Sequence, residues 1–271
     1  DHRQLPAVVK QDSHSSKVKD ENLQAIGLNN LRNSLFERLY NRCQKENWDW
    51  AYGQLTHQGR MHQDIMAFSS RLFYGNALKT LPEGSPKHEE QNKAIEWELP
   101  DDAGPIEKML CSQRVLFLNT PPNDTEDLQK NNPYEAKRIA ELILAFQKIY
   151  AFNGVSFTKD TLGIITPYRA QIAQIKSVLQ EESISDDLLT IDTVERYQGG
   201  ARDIILLSLC ANHSRQLRSL ISHSDEGVDR KLNVALTRAR KHLIILGNAE
   251  VLKADRVYRE LMDYARIRKE I

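Results

Sequence analysis

From Gly104 onward, short apolar runs alternate with longer segments in which apolar residues recur at helical spacing. The short runs are Val115–Leu118, Leu162–Ile165, Leu188–Ile191, Ile204–Leu209 and Leu243–Leu246, and the longer segments are Pro133–Ile149, Tyr168–Leu179 and Lys231–Arg240. Apolar runs of about five residues are typical of strands buried on both faces, and strands that alternate with helices form parallel sheets. The pattern therefore predicts an α/β fold, a parallel sheet with helices on both faces.

The preceding part of the chain is less regular. Apolar residues recur at helical spacing over Leu28–Tyr40 and again over Ile65–Phe73, which predicts two amphipathic helices. Residues 7–22 are polar and unpatterned, and Leu81–Asn92 is rich in Pro, Gly, Glu and Lys, so both predict solvated loops. Asn132-Pro133 predicts a helix start, because an N-cap residue is followed by proline at the first helical position.

Composition narrows the class of protein but leaves its partner open. Lys plus Arg and Asp plus Glu both number 37, and a local basic track can lie within such a neutral total. The three cysteines are far apart and lack CxxC spacing, which argues against a disulfide framework or a zinc site. We expect a reducing, cytoplasmic location, associated with the nucleoid if the source is bacterial. No apolar run approaches the roughly 20 residues that span a bilayer, so we expect no membrane partner.

Four polar segments are candidates for chemistry, although each alone also fits an ordinary structural role. Arg238 and Arg240 fall in a predicted helix, whose dipole favours a basic end. Gln58–His62 places an arginine before a helix, where a salt bridge is common. Gln198-Gly199-Gly200 is typical of a turn, since glycine permits a left-handed backbone. Thr166-Pro167-Tyr168 is also typical of a turn, here from strand to helix.

Parallel sheets bind ligands at the carboxyl ends of their strands. We therefore expect the polar residues that follow each strand to carry the chemistry. Those residues are Thr166–Arg169, Asp192-Thr193, the Gln198-Gly199-Gly200 segment and the helix bearing Arg238.

The order of these segments is more specific than any one of them. Asp1–Pro6 (DHRQLP) resembles the motif GDxxQLPP of superfamily 1 helicases, and Gln58–His62 (QGRMH) resembles their QYRMH segment. Further matches, in the family's order, are Ser34–Leu39 (SLFERL), Ile165–Gln171 (ITPYRAQ), Thr193–Gly199 (TVERYQG) and Leu232–Asn248 (LNVALTRARKHLIILGN). Over residues 1–248 the chain is identified as a member of the superfamily 1B, Upf-like and Dna-two-like branch.

The resemblance implies a domain plan and a function. ATP and Mg2+ lie between two RecA-like domains in that family. Residues 1–56 would be the end of the first domain, 57–104 a connecting helix and loop segment, and 105–271 the second RecA-like domain. The chain would then be the C-terminal motor part of an ATP-dependent helicase that moves 5′ to 3′ on single-stranded nucleic acid, DNA rather than RNA. Its second partner would be the upstream RecA-like domain of the same protein.

The resemblance also assigns roles to residues. Gln4 would sense the γ-phosphate, and Arg60 and Arg238 would neutralise charge as the bond breaks; these three are the catalytic candidates. The implied nucleotide contacts are Gln4, Gln58, Arg60, Gln198, Gly199, Gly200 and Arg238. The implied contacts to nucleic acid are Thr166, Pro167, Tyr168, Arg169 and Thr193. Contacts of this kind position a strand without reading its sequence.

Departures from the family pattern leave alternatives open. Gly59 replaces a tyrosine, Ala201 replaces a carboxylate that binds ribose, and Glu195 replaces an aspartate. The chain opens on Asp1 without a methionine and contains no GxxxxGK[ST] loop or DExx motif, so we expect a fragment with negligible ATP hydrolysis of its own. A non-catalytic, helicase-derived module that binds nucleic acid or protein is the alternative. A dinucleotide-binding enzyme is disfavoured because GxGxxG is missing.

Overall fold

The computed structural model of the chain describes residues 1–5, 16–123, 129–197, 200–224 and 227–265, and the backbone of 267–268. The chain divides into two compact units, Asp1–Thr56 and His57–Ile271. Residues 57–104 thus belong to the same unit as the sheet. The assignment of the three predicted parts to RecA-like domains stays a prediction.

The described residues of the first unit contain two helices and one 3-10 turn. These are α1 (Glu21–Ala25), α2 (Leu35–Glu46) and the turn Asp49–Ala51. Helix α2 starts at Leu35 because the Ser34 hydroxyl accepts the backbone N–H of Glu37 at 3.1 Å, a typical N-cap. The predicted helix over Leu28–Tyr40 was therefore wrong at its start, where Asn30 instead bridges to Lys17. Two tryptophans of this unit, Trp48 and Trp50, are exposed.

The second unit alternates strands and helices. Its strands are β1 (His57–Gln58), β2 (Lys79–Thr80), β3 (Val115–Asn119), β4 (Leu162–Thr166), β5 (Leu189–Thr193), β6 (Arg202–Ser208), β7 (Ala239–Gly247) and β8 (Ile267–Arg268). Its helices are α3 (Gln63–Phe73), α4 (His88–Asn92), α5 (Pro105–Ser112), α6 (Pro133–Phe152), α7 (Arg169–Glu181), α8 (Ser214–Leu220), α9 (Arg230–Leu236), α10 (Ala249–Leu252) and α11 (Arg256–Tyr264). Every helix in the described residues is too short or too polar to cross a membrane.

Six strands form one sheet in the order β5-β4-β6-β7-β3-β8, and every pairing in it is parallel. The predicted α/β class and parallel sheet are confirmed. The predicted start of α6 is confirmed as well, since the Asn132 side chain accepts the backbone N–H of Glu135 and Pro133 takes the first helical position.

The two faces of the sheet are covered by different helices. Alternate strand residues, such as Leu116, Ile164 and Leu206, pack with buried residues of α5, α6 and α7 in one core cluster. Their neighbours point the other way, as the period of two in a strand requires. Ile165 and Leu207 accordingly line a small cavity together with residues of α9 and α11. Both faces are therefore buried, which explains the continuous apolar runs of the sequence.

Trp97 is partly buried at the margin of the core cluster. It packs against this cluster and stacks on His242, with 4.7 Å between the ring centroids and 13° between the ring planes. His242 is fully buried, and burial lowers its pKa to about 3, so the imidazole is neutral at pH 7.

Two sequence predictions fail locally, one at the end of a helix and one within a predicted loop. The helix predicted over Lys231–Arg240 ends at Leu236, because Ala239 already pairs with Arg202 as the first residue of β7. Strand pairing outweighs helix propensity here. The loop predicted over Leu81–Asn92 contains the short helix α4.

Candidate functional site

The candidate residues of the second unit lie on two opposite edges of the sheet. Gly200 precedes β6 and Arg238 precedes β7, so both lie at the amino edge. Thr166 and Thr193 end β4 and β5 and lie at the carboxyl edge. A strand of five residues separates such edges by about 16 Å. The prediction that all of them gather at the carboxyl edge was therefore wrong for Gly200 and Arg238.

Arg238 lies in the turn between α9 and β7 and is buried, with 2% of the residue exposed. Its Nε donates to the carbonyl of Val234 at 3.1 Å, and its Nη1 donates to the carbonyl of Gly200 at 3.3 Å. Burial, and then the positive charge of Arg60, lower the Arg238 pKa to about 10. The guanidinium thus ties the helix end to the start of β6. Its side chain is not on a helix face, contrary to the prediction.

Arg60 is exposed and reaches the same turn, where its Nη1 donates to the carbonyl of Thr237 at 3.2 Å. The next contact along the chain is the backbone N–H of His62, which donates to the carbonyl of Arg240 at 2.8 Å. The QGRMH segment therefore runs beside the start of β7. The structure brings Arg60 and Arg238 together, as their shared prediction requires. Two neighbouring guanidinium groups suit an anionic group such as a phosphate.

Gln58 shapes the turn that presents Arg60. Its Oε1 accepts the backbone N–H groups of Arg60 and Met61 at 2.9 and 2.7 Å, and its Nε2 donates to the Met61 carbonyl at 3.0 Å. Gln91 of α4 supports the same turn, because its buried amide donates to the carbonyls of Gln58 and Met61 at 2.8 and 2.9 Å. Sequence reasoning missed Gln91, which lay in a segment predicted to be solvated.

The remaining nucleotide candidates are less well defined by the structure. Gln4 belongs to the first unit, where its backbone N–H closes a turn onto the Asp1 carbonyl at 3.2 Å. Gln198 and Gly199 lie outside the described residues. Their roles stay predictions.

The candidate nucleic-acid contacts at the carboxyl edge differ in how far their side chains are exposed. Arg169 is exposed, whereas Pro167, Tyr168 and Thr193 are half-buried. Thr166 is fully buried, and its hydroxyl has no hydrogen-bond partner in the described part of the chain. In this arrangement Thr166 does not reach the surface, so its predicted contact to a strand would need the edge to open.

A buried polar network lies beneath the carboxyl edge. Glu135 is fully buried; it accepts the Ser208 hydroxyl at 2.6 Å and the Cys210 backbone N–H at 3.1 Å. Burial raises the pKa of Glu135 to about 7, against the opposing effect of these donors. Gln171 extends the network, because its Nε2 donates to the Asn132 carbonyl and to Ser208 Oγ, both at 3.1 Å.

The network was not predicted, although its signal was visible. Glu135 follows the N-cap Asn132 by three residues, the spacing of a capping box, and Gln171 ends the ITPYRAQ segment. The described residues hold no group of three or more His, Cys, Asp or Glu side chains that could bind a metal ion.

Comparison with known proteins identifies similar chains. A family model described as AAA domain matches residues 31–250. An uncharacterized ATP-dependent helicase of Methanocaldococcus jannaschii is 26% identical over 268 residues, which are 98% of this chain and 34% of that protein. The DNA replication ATP-dependent helicase/nuclease DNA2 of Mus musculus is 32% identical, over 93% of this chain and 22% of that protein. Helicase sen1 of Schizosaccharomyces pombe is 29% identical, over 89% of this chain and 13% of that protein. The chain thus spans about a third or less of these relatives.

Proposed function

The chain belongs to the AAA domain family of superfamily 1B helicases, and we propose that it is the second motor domain of an ATP-dependent nucleic-acid helicase. The observation that carries the proposal is the meeting of Arg60 and Arg238 at the amino edge, although 177 residues separate Arg60 from the turn it contacts. The proposal places ATP against this edge and a single strand against the carboxyl edge.

Arg60 is the arginine best suited to contact a phosphate of ATP, because its guanidinium is exposed beside the turn. Arg238 acts behind it in this proposal. Its guanidinium donates hydrogen bonds to the Val234 and Gly200 carbonyls. Its positive charge lies close to that of Arg60, and an incoming anion would stabilise both charges. The phosphate loop and the ligands of Mg2+ would come from an upstream RecA-like domain of the same protein, as the resemblance implies. ATP bound there would supply the energy of a phosphoanhydride bond.

Arg169 is the exposed member of the proposed strand site, and Pro167, Tyr168 and Thr193 are half-buried. A preference for DNA over RNA and movement from 5′ to 3′ are parts of the proposal that rest on the family resemblance alone. The cytoplasmic location rests on the cysteine usage.

The test is ATP turnover, stimulated by single-stranded DNA, in the full-length protein that contains this chain. Removal of an arginine that stabilises the transferring phosphate costs about 10³-fold or more in turnover. We expect that loss for Arg60→Gln, with unchanged affinity for the strand. Arg240→Gln is the matched control, because Arg240 is a cation on β7 paired with Asp203 at 3.4 Å. Equal turnover in both variants would refute the role of Arg60.

The alternative, a helicase-derived module without ATP use, makes the opposite prediction. Gly59 favours it, because the family's tyrosine is missing at this position, where an added Cβ would meet the side chain of Leu81, at 3.1 Å from Cδ1. Strand binding without any ATP turnover in the full-length protein would establish this alternative.

A further inference from the structure

A basic surface lies at the carboxyl edge of the sheet, beside the proposed strand site. We define it by the side chains of Lys130, Tyr168, Arg169, Arg215, Arg218 and Ser219. It combines three parts of the chain, namely the segment before α6, the start of α7, and α8. Helix α8 lies outside every motif of the sequence comparison.

Hydrogen bonds hold the three parts together. The hydroxyls of Tyr168 and Ser219 are 2.6 Å apart and join α7 to α8. Gln216 Nε2 donates to the Gln129 carbonyl at 2.8 Å and joins α8 to the segment before α6. Lys130 from that segment lies over the Tyr168 ring, with Nζ 5.6 Å from the ring centroid. The surface is therefore a continuous structure rather than a set of separate side chains.

Helix α8 presents its cations outward. Gln216, Leu217 and Leu220 are buried, whereas Arg215 and Arg218 are exposed. The two arginines are three residues apart, a spacing that places side chains on the same face of a helix. Ser219 is exposed as well and is bonded to Tyr168, so this outer face adjoins the start of α7.

The cations of this surface have no ion-pair partner among the residues that the structure describes. Lys130, Arg169, Arg215 and Arg218 form no ion pair within the described ranges of the chain. Elsewhere, by contrast, Lys231 pairs with Glu195 at 3.1 Å and Lys241 with Asp203 at 2.9 Å. Four positive charges that form no ion pair in the described part of the chain, together with a half-buried tyrosine, match the backbone of a nucleic acid, which carries regularly spaced negative charges.

We propose that the outer face of α8, with Lys130, binds the phosphates of single-stranded nucleic acid and so extends the strand site beyond the family motifs. The inference rests on the proposed function, because it assumes that a strand runs along the carboxyl edge. Arg215 and Arg218 contact phosphates. Tyr168 positions α8 through its bond to Ser219. The contacts are to the backbone, so the surface binds without preference for sequence.

The test measures binding of the chain to a fluorescent single-stranded oligonucleotide at several salt concentrations. Each lost phosphate contact lowers the slope of log affinity against log salt by about 0.7 on a single strand. For Arg215→Gln with Arg218→Gln we expect a slope smaller by about 1.4, which is roughly a 25-fold loss of affinity at 0.1 M salt relative to 1 M. The control is Lys108→Gln with Lys159→Gln, which removes the same charge from exposed positions ahead of β3 and β4.

The outcomes separate the two proposals. If the unaltered chain binds with a clear salt slope but the α8 variant matches the control, the inference about α8 is wrong and the proposed function stands. If the unaltered chain binds no strand at any salt concentration, the proposed strand site itself fails. Tyr168→Phe removes only the bond to Ser219. We expect a few-fold loss of affinity with an unchanged salt slope, and a slope change as large as that of the α8 variant would refute the positioning role.

Discussion

Replacement of Glu135 by glutamine removes one source of pH dependence from the stability of the protein. Burial raises the pKa of Glu135 from 4.5 in the unfolded chain to about 7 in the folded protein. Between these two pH values the folded protein keeps a proton that the unfolded chain has released. The free energy of unfolding therefore falls as pH rises through this interval, by about 1.4 kcal/mol per pH unit and about 3 kcal/mol in total.

Glutamine at position 135 has the same shape and carries no titrating proton, so the variant escapes this loss. At pH 4 we expect the variant to be about as stable as the original protein or about 1 kcal/mol weaker, because its amide must fit donors placed for a carboxyl. At pH 8 we expect it to be more stable by about 2–3 kcal/mol. The difference between the two proteins should rise between pH 4.5 and 7 and be constant above.

The assay is urea unfolding of both proteins at pH 4, 5, 6, 7 and 8. The difference between them isolates Glu135 from other groups. His242 has the opposite effect on stability. Its pKa is lowered to about 3 in the folded protein, so the free energy of unfolding rises with pH between about 3 and 6.5. The control is Glu141→Gln, a half-buried carboxylate on the same helix paired with Arg138 at 2.8 Å, where we expect a change below about 1 kcal/mol. If the difference in stability between the original protein and Glu135→Gln does not vary with pH, the raised pKa of the buried Glu135 carboxyl is refuted.

Two further predictions concern the sheet. Thr166→Val removes a buried hydroxyl that has no partner among the described residues, so we expect thermal unfolding to show a gain in stability of about 1 kcal/mol; a loss would mean that the hydroxyl is bonded. Unchanged affinity of this variant for single strands would remove Thr166 from the proposed strand site. Gly163→Ala places a Cβ 2.8 Å from Cζ of Tyr197, so we expect urea unfolding to show a loss of about 1–3 kcal/mol. Gly200→Ala, whose Cβ would stand 3.4 Å or more from its neighbours, is the control, and an equal loss there would contradict the packing argument.

The sheet was predictable because its strands are buried on both faces. Runs such as Leu162–Ile165 are apolar at every position, so each one marks a strand without any knowledge of its partners. The end of α9 was not predictable in this way. Only the pairing of Ala239 with Arg202 stops the helix at Leu236, and that pairing joins residues far apart in sequence.

The sequence could group Arg60 with Arg238 but could not give their arrangement. The motif order brought Arg60 and Arg238 into one prediction, and the structure places them at the same turn. Burial was the part that the sequence could not reveal. Arg238 lies inside the protein, bonded to two carbonyls, and Thr166 lies below the surface that it was predicted to form. Both positions depend on long-range packing.

The tryptophans of the two units differ in environment, so their fluorescence can report on the units separately. Trp50 is 83% exposed in the first unit, and Trp97 is stacked on His242 in the second. An indole in water emits at longer wavelengths than one in an apolar environment. With Trp48→Phe and Trp50→Phe, the emission of Trp97 would follow the second unit alone. The release of this ring from the His242 stack would then mark the opening of the sheet core without an added dye.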